Sequence, residues 1–220
     1  MGNSASDFEH AQFAQLGPQT AINIFGIGNC FQHQRDYVMK EKILSLSGDD
    51  FAIEDENGNP SGYKISGKVF SLSDKKKLLD GYGNTIGQVR EKIMTLHKRM
   101  YLVDADGLVR VVLRRAHFFQ LAAAAEGWVL QHPVPVDKID KSETKSRPAD
   151  FRMGGNWRAK NFICVNSENQ VIVKTQRKGL NVSSIVFGKQ TYIVSVPAFV
   201  DSAFCILLCC ALDEMYRDDN

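Results

Sequence analysis

The feature that most constrains this chain is the apolar run Pro197-Ala-Phe-Val-Asp-Ser-Ala-Phe-Cys-Ile-Leu-Leu-Cys-Cys-Ala-Leu212, followed at once by Asp213 and Glu214. It is hydrophobic nearly all round, the pattern of a helix enclosed by protein or lipid. A membrane span takes about 20 apolar residues and tolerates few charges. This stretch is shorter and carries Asp201 near its start, so enclosure by protein is the expectation. Almost everything upstream reads as β-hairpins. One apolar helix after many strands predicts a sheet wrapped around a central helix.

The hairpins announce themselves by their turns. Asp55-Glu-Asn-Gly58, Asp80-Gly-Tyr-Gly83 and Asp104-Ala-Asp-Gly107 are three copies of D-x-x-G, and Asn166-Ser-Glu-Asn169 is a weaker fourth. Aspartate suits the first position of a type I turn, and glycine supplies the positive φ that closes the bulge. The first three recur at intervals of 25 and 24 residues between alternating apolar flanks. Short alternating strands with regular turn signals indicate a sandwich or barrel. Asp104-Ala-Asp-Gly107 lacks the later bidentate Glu of a calcium loop. Gly81-Tyr-Gly83-Asn-Thr-Ile-Gly87 lacks the spacing and following helix of a phosphate loop. Both are read as turns.

Residues 116–149 interrupt this rhythm and are read as a loop insertion between two halves of one domain. Within it, Phe118 to Glu126, with four consecutive alanines, has helix-forming composition. The stretch Asp137 to Arg147 is charged and apolar-poor, the signature of a mobile loop. Residues 1–34 look like an N-terminal arm draped over a single barrel domain at 35–220.

The arm opens Met1-Gly2-Asn3-Ser4-Ala5-Ser6, which fits the M-G-x-x-x-[ST] myristoylation pattern with Gly2 as acceptor. One myristoyl chain gives only marginal, reversible membrane binding, so a second contact is required. Charge supplies a candidate. Residues 1–74 carry 5 Lys/Arg against 10 Asp/Glu, a balance of −5, whereas residues 75–115 carry 10 against 4, or +6. Such asymmetry suggests an anionic partner. The shortlist is Lys75, Lys76, Lys77, Arg90, Lys92, Lys98, Arg99, Arg110, Arg114 and Arg115. Strand alternation lets only some of them share a face.

Nothing in the sequence marks an enzyme. The five histidines are scattered, with no HExxH pair, no G-x-S-x-G elbow and no Walker loop. Three of the five cysteines, Cys205, Cys209 and Cys210, lie in the apolar run, and none forms a CxxC pair. The segment Met1 to Ala21 has no secretory pattern. Reduced, structural thiols are therefore expected, including Cys30 and Cys164, with no metal and no cofactor.

The order of these pieces resembles the LURP-one-related family. The segments that carry the likeness are Tyr37-Val-Met-Lys-Glu-Lys-Ile-Leu-Ser-Leu46, Asp50 to Asn59, Tyr63 to Leu72, Leu78 to Gly87 and Lys92 to His97. In the second half they are Phe151-Arg-Met-Gly-Gly-Asn156, Asn161 to Val165, Thr191 to Val196, and Val200-Asp201 leading into the apolar run. The resemblance spans roughly residues 35–216. It implies a closed antiparallel β-barrel of about 12 strands around a buried hydrophobic C-terminal helix, as in the tubby C-terminal domain and phospholipid scramblases. Asp201 would then meet the positive end of the helix dipole, and Asp213 and Glu214 would mark emergence from the barrel.

Tubby-type domains bind phosphoinositides through basic residues, although their motifs do not align with this chain. Scramblases carry a cysteine-rich acylation segment and an acidic calcium-binding stretch before the helix; here Phe187-Gly-Lys-Gln-Thr-Tyr-Ile-Val194 stands in that place. The expectation is a non-enzymatic, membrane-associated binding module, peripheral on a cytoplasmic membrane face, that recognises anionic phospholipid. The alternatives are a protein-interaction scaffold contacting partners through 116–149 and, behind it, a scramblase-type lipid transporter. Nucleic acid is disfavoured because aromatic platforms and motif signatures are lacking.

Overall fold

A computed structural model describes residues 10–40, 51–66, 74–91, 99–115, 123–139, 144, 146–156, 159–177 and 191–216. Twelve antiparallel strands close into a barrel in which each pairs with its neighbours in sequence and β1 (Arg35–Lys40) pairs with β12 (Thr191–Val196). Between them run β2 (Phe51–Asp55), β3 (Pro60–Ser66), β4 (Asp74–Asp80), β5 (Thr85–Glu91), β6 (Arg99–Asp104) and β7 (Leu108–Arg115). They are followed by β8 (Ala123–Pro135), β9 (Phe151–Asn156), β10 (Asn161–Asn166) and β11 (Val171–Arg177). Closure leaves the sheet no free edge along the paired stretches.

The lumen is filled by α1 (Ser202–Met215). Every residue of this helix except Asp213 is buried. Inward side chains from the wall, such as Ile53, Ile65, Leu78, Val89, Leu102, Leu113 and Val194, pack on it as one core. Asp213 and Glu214 do not mark emergence from the barrel: Glu214, Met215 and Tyr216 remain buried. Lys160 offsets Asp213 there, with its Nζ 2.6 Å from Oδ1.

Antiparallel alternation gives the barrel two different ends. α1 enters where β12 finishes, and all four hairpin turns lie at that same turn end. Each repeats one geometry. The Oδ1 of Asp55, Asp80, Asp104 and Asn166 accepts the backbone N–H groups two and four residues on, at 2.8–3.1 Å. Gly58, Gly83 and Gly107 adopt φ of 84°, 92° and 83°, and Asn169 takes φ 61° in the fourth turn.

The described part of the arm, residues 10–34, also closes the turn end. Ala14 and Val171 are joined by a backbone hydrogen bond, and Ile22 bridges to Val200. Asp201 fastens the arm to the helix. Its Oδ1 accepts the N–H of Phe204 as an N-cap (3.0 Å), and its Oδ2 accepts those of Ile24 (3.0 Å) and Phe25 (2.6 Å). Burial pushes this fully enclosed carboxyl up in pKa, while the N–H groups pull the other way.

The segment 116–149 departs from expectation. Residues 123–135 are barrel wall, not loop, and Ala123–Glu126 open β8 instead of a helix. Alanine's helix preference is a weak prior that pairing overrides: this stretch ladders with Glu126 opposite Arg114 on β7 and opposite Arg152 on β9. The remainder of Phe118 to Glu126 lies outside the described residues, as do residues 140–143 and 145 of the expected mobile loop. Arg147, at the end of that stretch, is tied down by four hydrogen bonds.

Candidate site at the helix-exit end

Basic residues collect at the end where α1 leaves the barrel. Lys75, Lys76 and Lys77 stand near the start of β4, Arg90 near the end of β5, Arg99 at the start of β6, and Arg114 and Arg115 at the end of β7. Antiparallel pairing brings all seven to the exit end. Arg110, near the start of β7, belongs to the opposite end and pairs with Asp104 there (2.7 Å). Gly2, Lys92 and Lys98 lie outside the described residues.

Orientation divides the exit-end group further. Lys76 points inward and is 6 % exposed, next to the buried C-terminal half of the helix, where its charge acts on the Cys210 thiol. Arg115 also turns in, its guanidinium 4.6 Å from the centroid of the Tyr216 ring. Lys160 joins them, 5.8 Å over the ring of Tyr192 and paired with Asp213. These three cations complement the negative end of the helix dipole and its acidic residues.

Lys77, Arg90, Arg99 and Arg114 lie on the outer wall. Arg99 stands directly opposite Arg114, and Arg90 opposite Tyr101. With its amide turned so that the oxygen faces Arg90, Gln88 accepts from that guanidinium at 2.9 and 3.0 Å. Arg114 bonds Glu126 (2.7 Å) and lies 4.8 Å over the Trp128 ring. Glu126 is in turn opposite Arg152, whose guanidinium reaches Asn169 (3.3 Å). Arg152, near the start of β9, thus reaches the Asn166–Asn169 turn at the turn end, so the belt runs over β4 to β7 with Glu126 of β8 on its flank. The Arg–Glu–Arg register across β7, β8 and β9 becomes readable only once β8 is recognised as a strand.

The closed barrel and its internal helix are the architecture that the resemblance implied. The LURP-one-related family profile matches residues 35–213. The chain belongs to this family. It is 29 % identical over 196 residues to protein LURP-one-related 15 of Arabidopsis thaliana, covering 87 % of this chain and 84 % of that one. It is 28 % identical to LURP-one-related 10 (87 % and 95 %) and 23 % identical to LURP1 (88 % and 90 %), both from the same plant. An X-ray structure of an Arabidopsis thaliana protein shares the fold with a TM-score of 0.55 at 21 % identity, over 88 % of this chain and 98 % of that one.

The thiols of this LURP-one-related protein are shielded. Cys164 faces the core with Cys205, Cys209 and Cys210, and burial pushes all four well up in pKa. Cys30 is half-buried beside Asp201, and burial with that neighbouring charge raises it to about 11. Among the described residues no group of His, Cys, Asp and Glu could hold a metal ion. No helix among them is long and apolar enough to cross a membrane.

Proposed function

We propose that this LURP-one-related chain is a non-enzymatic module that binds an anionic membrane surface, richest in phosphoinositide, through the outer belt at its helix-exit end. The observation that carries the reading is Arg99 directly opposite Arg114, flanked on neighbouring strands by Arg90 and Lys77. Like charges facing each other across a ladder are destabilising unless an anion offsets them. Glu126 pairs with Arg114 at one side of this row.

Near an anionic surface each basic group contributes about 1 kcal/mol, so four contribute about 4 kcal/mol, which alone corresponds to roughly millimolar affinity. Myristate on Gly2 is the second anchor that raises this to stable binding, and it places the module on a cytoplasmic membrane face. The rival assignment of a protein partner to 116–149 leaves that partner mainly the stretch after β8, because residues 123–135 are wall.

Vesicle flotation tests the reading. Myristoylated protein should float with vesicles containing phosphoinositide and lose binding as salt rises, and Gly2→Ala should float less. Arg99→Glu with Arg114→Glu should abolish flotation, whereas Arg110→Glu at the other end should not. Binding that ignores salt and lipid charge would refute it.

A further inference from the structure

Tyr101 stands beside the facing arginines of the belt. It follows Arg99 by two residues on the outer face of β6, opposite Arg90 on one side and Val112 on the other, and is only 1 % exposed. Its hydroxyl is enclosed and meets no hydrogen-bond partner among the described residues. A buried polar atom in that state costs stability, so it calls for an explanation. Arg99 is near enough for its charge to pull the phenol pKa down against burial, though not in bonding geometry.

The two arginines differ in how they are held. The Arg114 guanidinium bonds Glu126 (2.7 Å) and lies 4.8 Å over the Trp128 ring, so its plane is set. Arg110 and Arg147 are ion-paired as well. Arg99 has no carboxylate or carbonyl partner among the described residues. A guanidinium presents five N–H donors in a planar fork and keeps its charge. Two such forks face each other across the β6–β7 ladder with a phenolic O–H beside them. That set suits an oxyanion with several terminal oxygens.

We propose that Arg99, Arg114 and the Tyr101 hydroxyl form a site for one phosphate monoester, and that Tyr101 sets its preference over a phosphate diester. The proposal deepens the reading of the belt and rests on it. A monoester carries about −1.5 to −2 charge at pH 7 and three strong acceptor oxygens. It offsets both arginines and still has an oxygen for the hydroxyl, whereas a diester has less charge and fewer free oxygens. Arg99 has no ion pair to give up, so it swings onto the phosphate and opens the hydroxyl to one of its oxygens. The bond then forms where water is excluded, and there it counts for more. A phosphoinositide headgroup and a soluble phosphate ester share this chemistry.

The full myristoylated chain is floated with phosphatidylcholine vesicles that carry either phosphatidylinositol monophosphate or, at matched charge, phosphatidylserine. Binding of inositol trisphosphate is measured alongside by calorimetry. The parent should prefer the phosphoinositide vesicles about tenfold, equivalent to roughly 1.4 kcal/mol. Tyr101→Phe should bring the two lipids near parity, with a urea midpoint no lower than the parent's, because the hydroxyl has no partner to lose. Arg99→Lys keeps the charge without the fork and should lose the preference too. Tyr82→Phe removes an exposed hydroxyl at the turn end and should keep it. An unchanged preference or a lowered midpoint in Tyr101→Phe would overturn the site; salt-sensitive flotation on both lipids would then leave the belt standing alone. Inositol trisphosphate bound with the same Tyr101 dependence, but no flotation, would keep the site for a soluble phosphate ester and overturn the membrane reading. Neither flotation nor inositol trisphosphate binding would overturn both.

Discussion

Replacing Asp201 should cost more than any other single polar substitution among the described residues. Its carboxylate is fully buried and accepts three backbone N–H groups, one from the helix and two from the arm. Asp201→Ala loses the helix cap, about 1 kcal/mol. It also leaves the Ile24 and Phe25 amides without their acceptor, at about 1–3 kcal/mol each. The sum is roughly 3–7 kcal/mol, against about 5–15 kcal/mol for a whole domain. A chain of this size loses about 2–4 °C of Tm per kcal/mol, so a loss near 5 kcal/mol lowers Tm by roughly 10–20 °C.

Asp201→Asn separates the two roles. The amide has one acceptor oxygen, so it keeps either the cap or the arm contacts and turns an N–H₂ toward the group it abandons. Urea titration followed by circular dichroism, with limited proteolysis of residues 10–34, reads both effects. Alanine should destabilise globally and asparagine should sit between alanine and the parent. An alanine variant within 1 kcal/mol of the parent would refute the account, since it would mean that the three N–H groups find other partners at little cost.

Other consequences are equally open to test. Gly87→Ala places a Cβ 2.7 Å from the Phe25 ring, 2.9 Å from Leu207 and 2.9 Å from the Val103 carbonyl, so it should cost about 1–3 kcal/mol in urea unfolding. Cys30 should react with a maleimide at pH 8 about a hundredfold more slowly than an ordinary thiol, because burial and then Asp201 raise its pKa to about 11; the rate should climb with pH and increase in Asp201→Asn. Asp55 and Asp80 are held below the usual carboxylate range, first by the Asn59 backbone and the Asn84 side chain respectively. Their contribution is therefore complete above the unfolded-chain pKa and is lost as pH falls through the folded value. Asp80→Asn keeps the turn, as Asn166 does naturally, and should flatten part of the acid limb of a stability–pH curve.

The sequence made the turns and the plug legible because their signals are local. D-x-x-G fixes a hairpin within four residues, and a helix apolar on every face has to be enclosed. What escaped reading depends on register. β8 was hidden by an alanine run whose helix preference yields to ladders on both sides. The basic shortlist could not be sorted by alternation alone: Lys76 shares the inward face of Leu78 two residues on, where a lysine is not expected, and an irregularity between Val109 and Val111 puts those two residues on opposite faces beside Arg110.

The charge asymmetry noticed along the chain becomes an axial one in space. Every D-x-x-G turn places its aspartate at the end where α1 enters, since antiparallel hairpins joined in sequence return to the same side. The cations flanking the other connections then gather where α1 leaves. This polarity opposes the helix dipole at both ends, with carboxylates near its positive terminus and Lys76, Lys160 and Arg115 near its negative one. Lys77, Arg90, Arg99 and Arg114 add further positive charge to the outer wall of the same end. A body charged in this way does not meet an anionic surface at random: its basic end is drawn in and its acidic turns are pushed away, which stands the barrel on its helix-exit end before any specific contact forms.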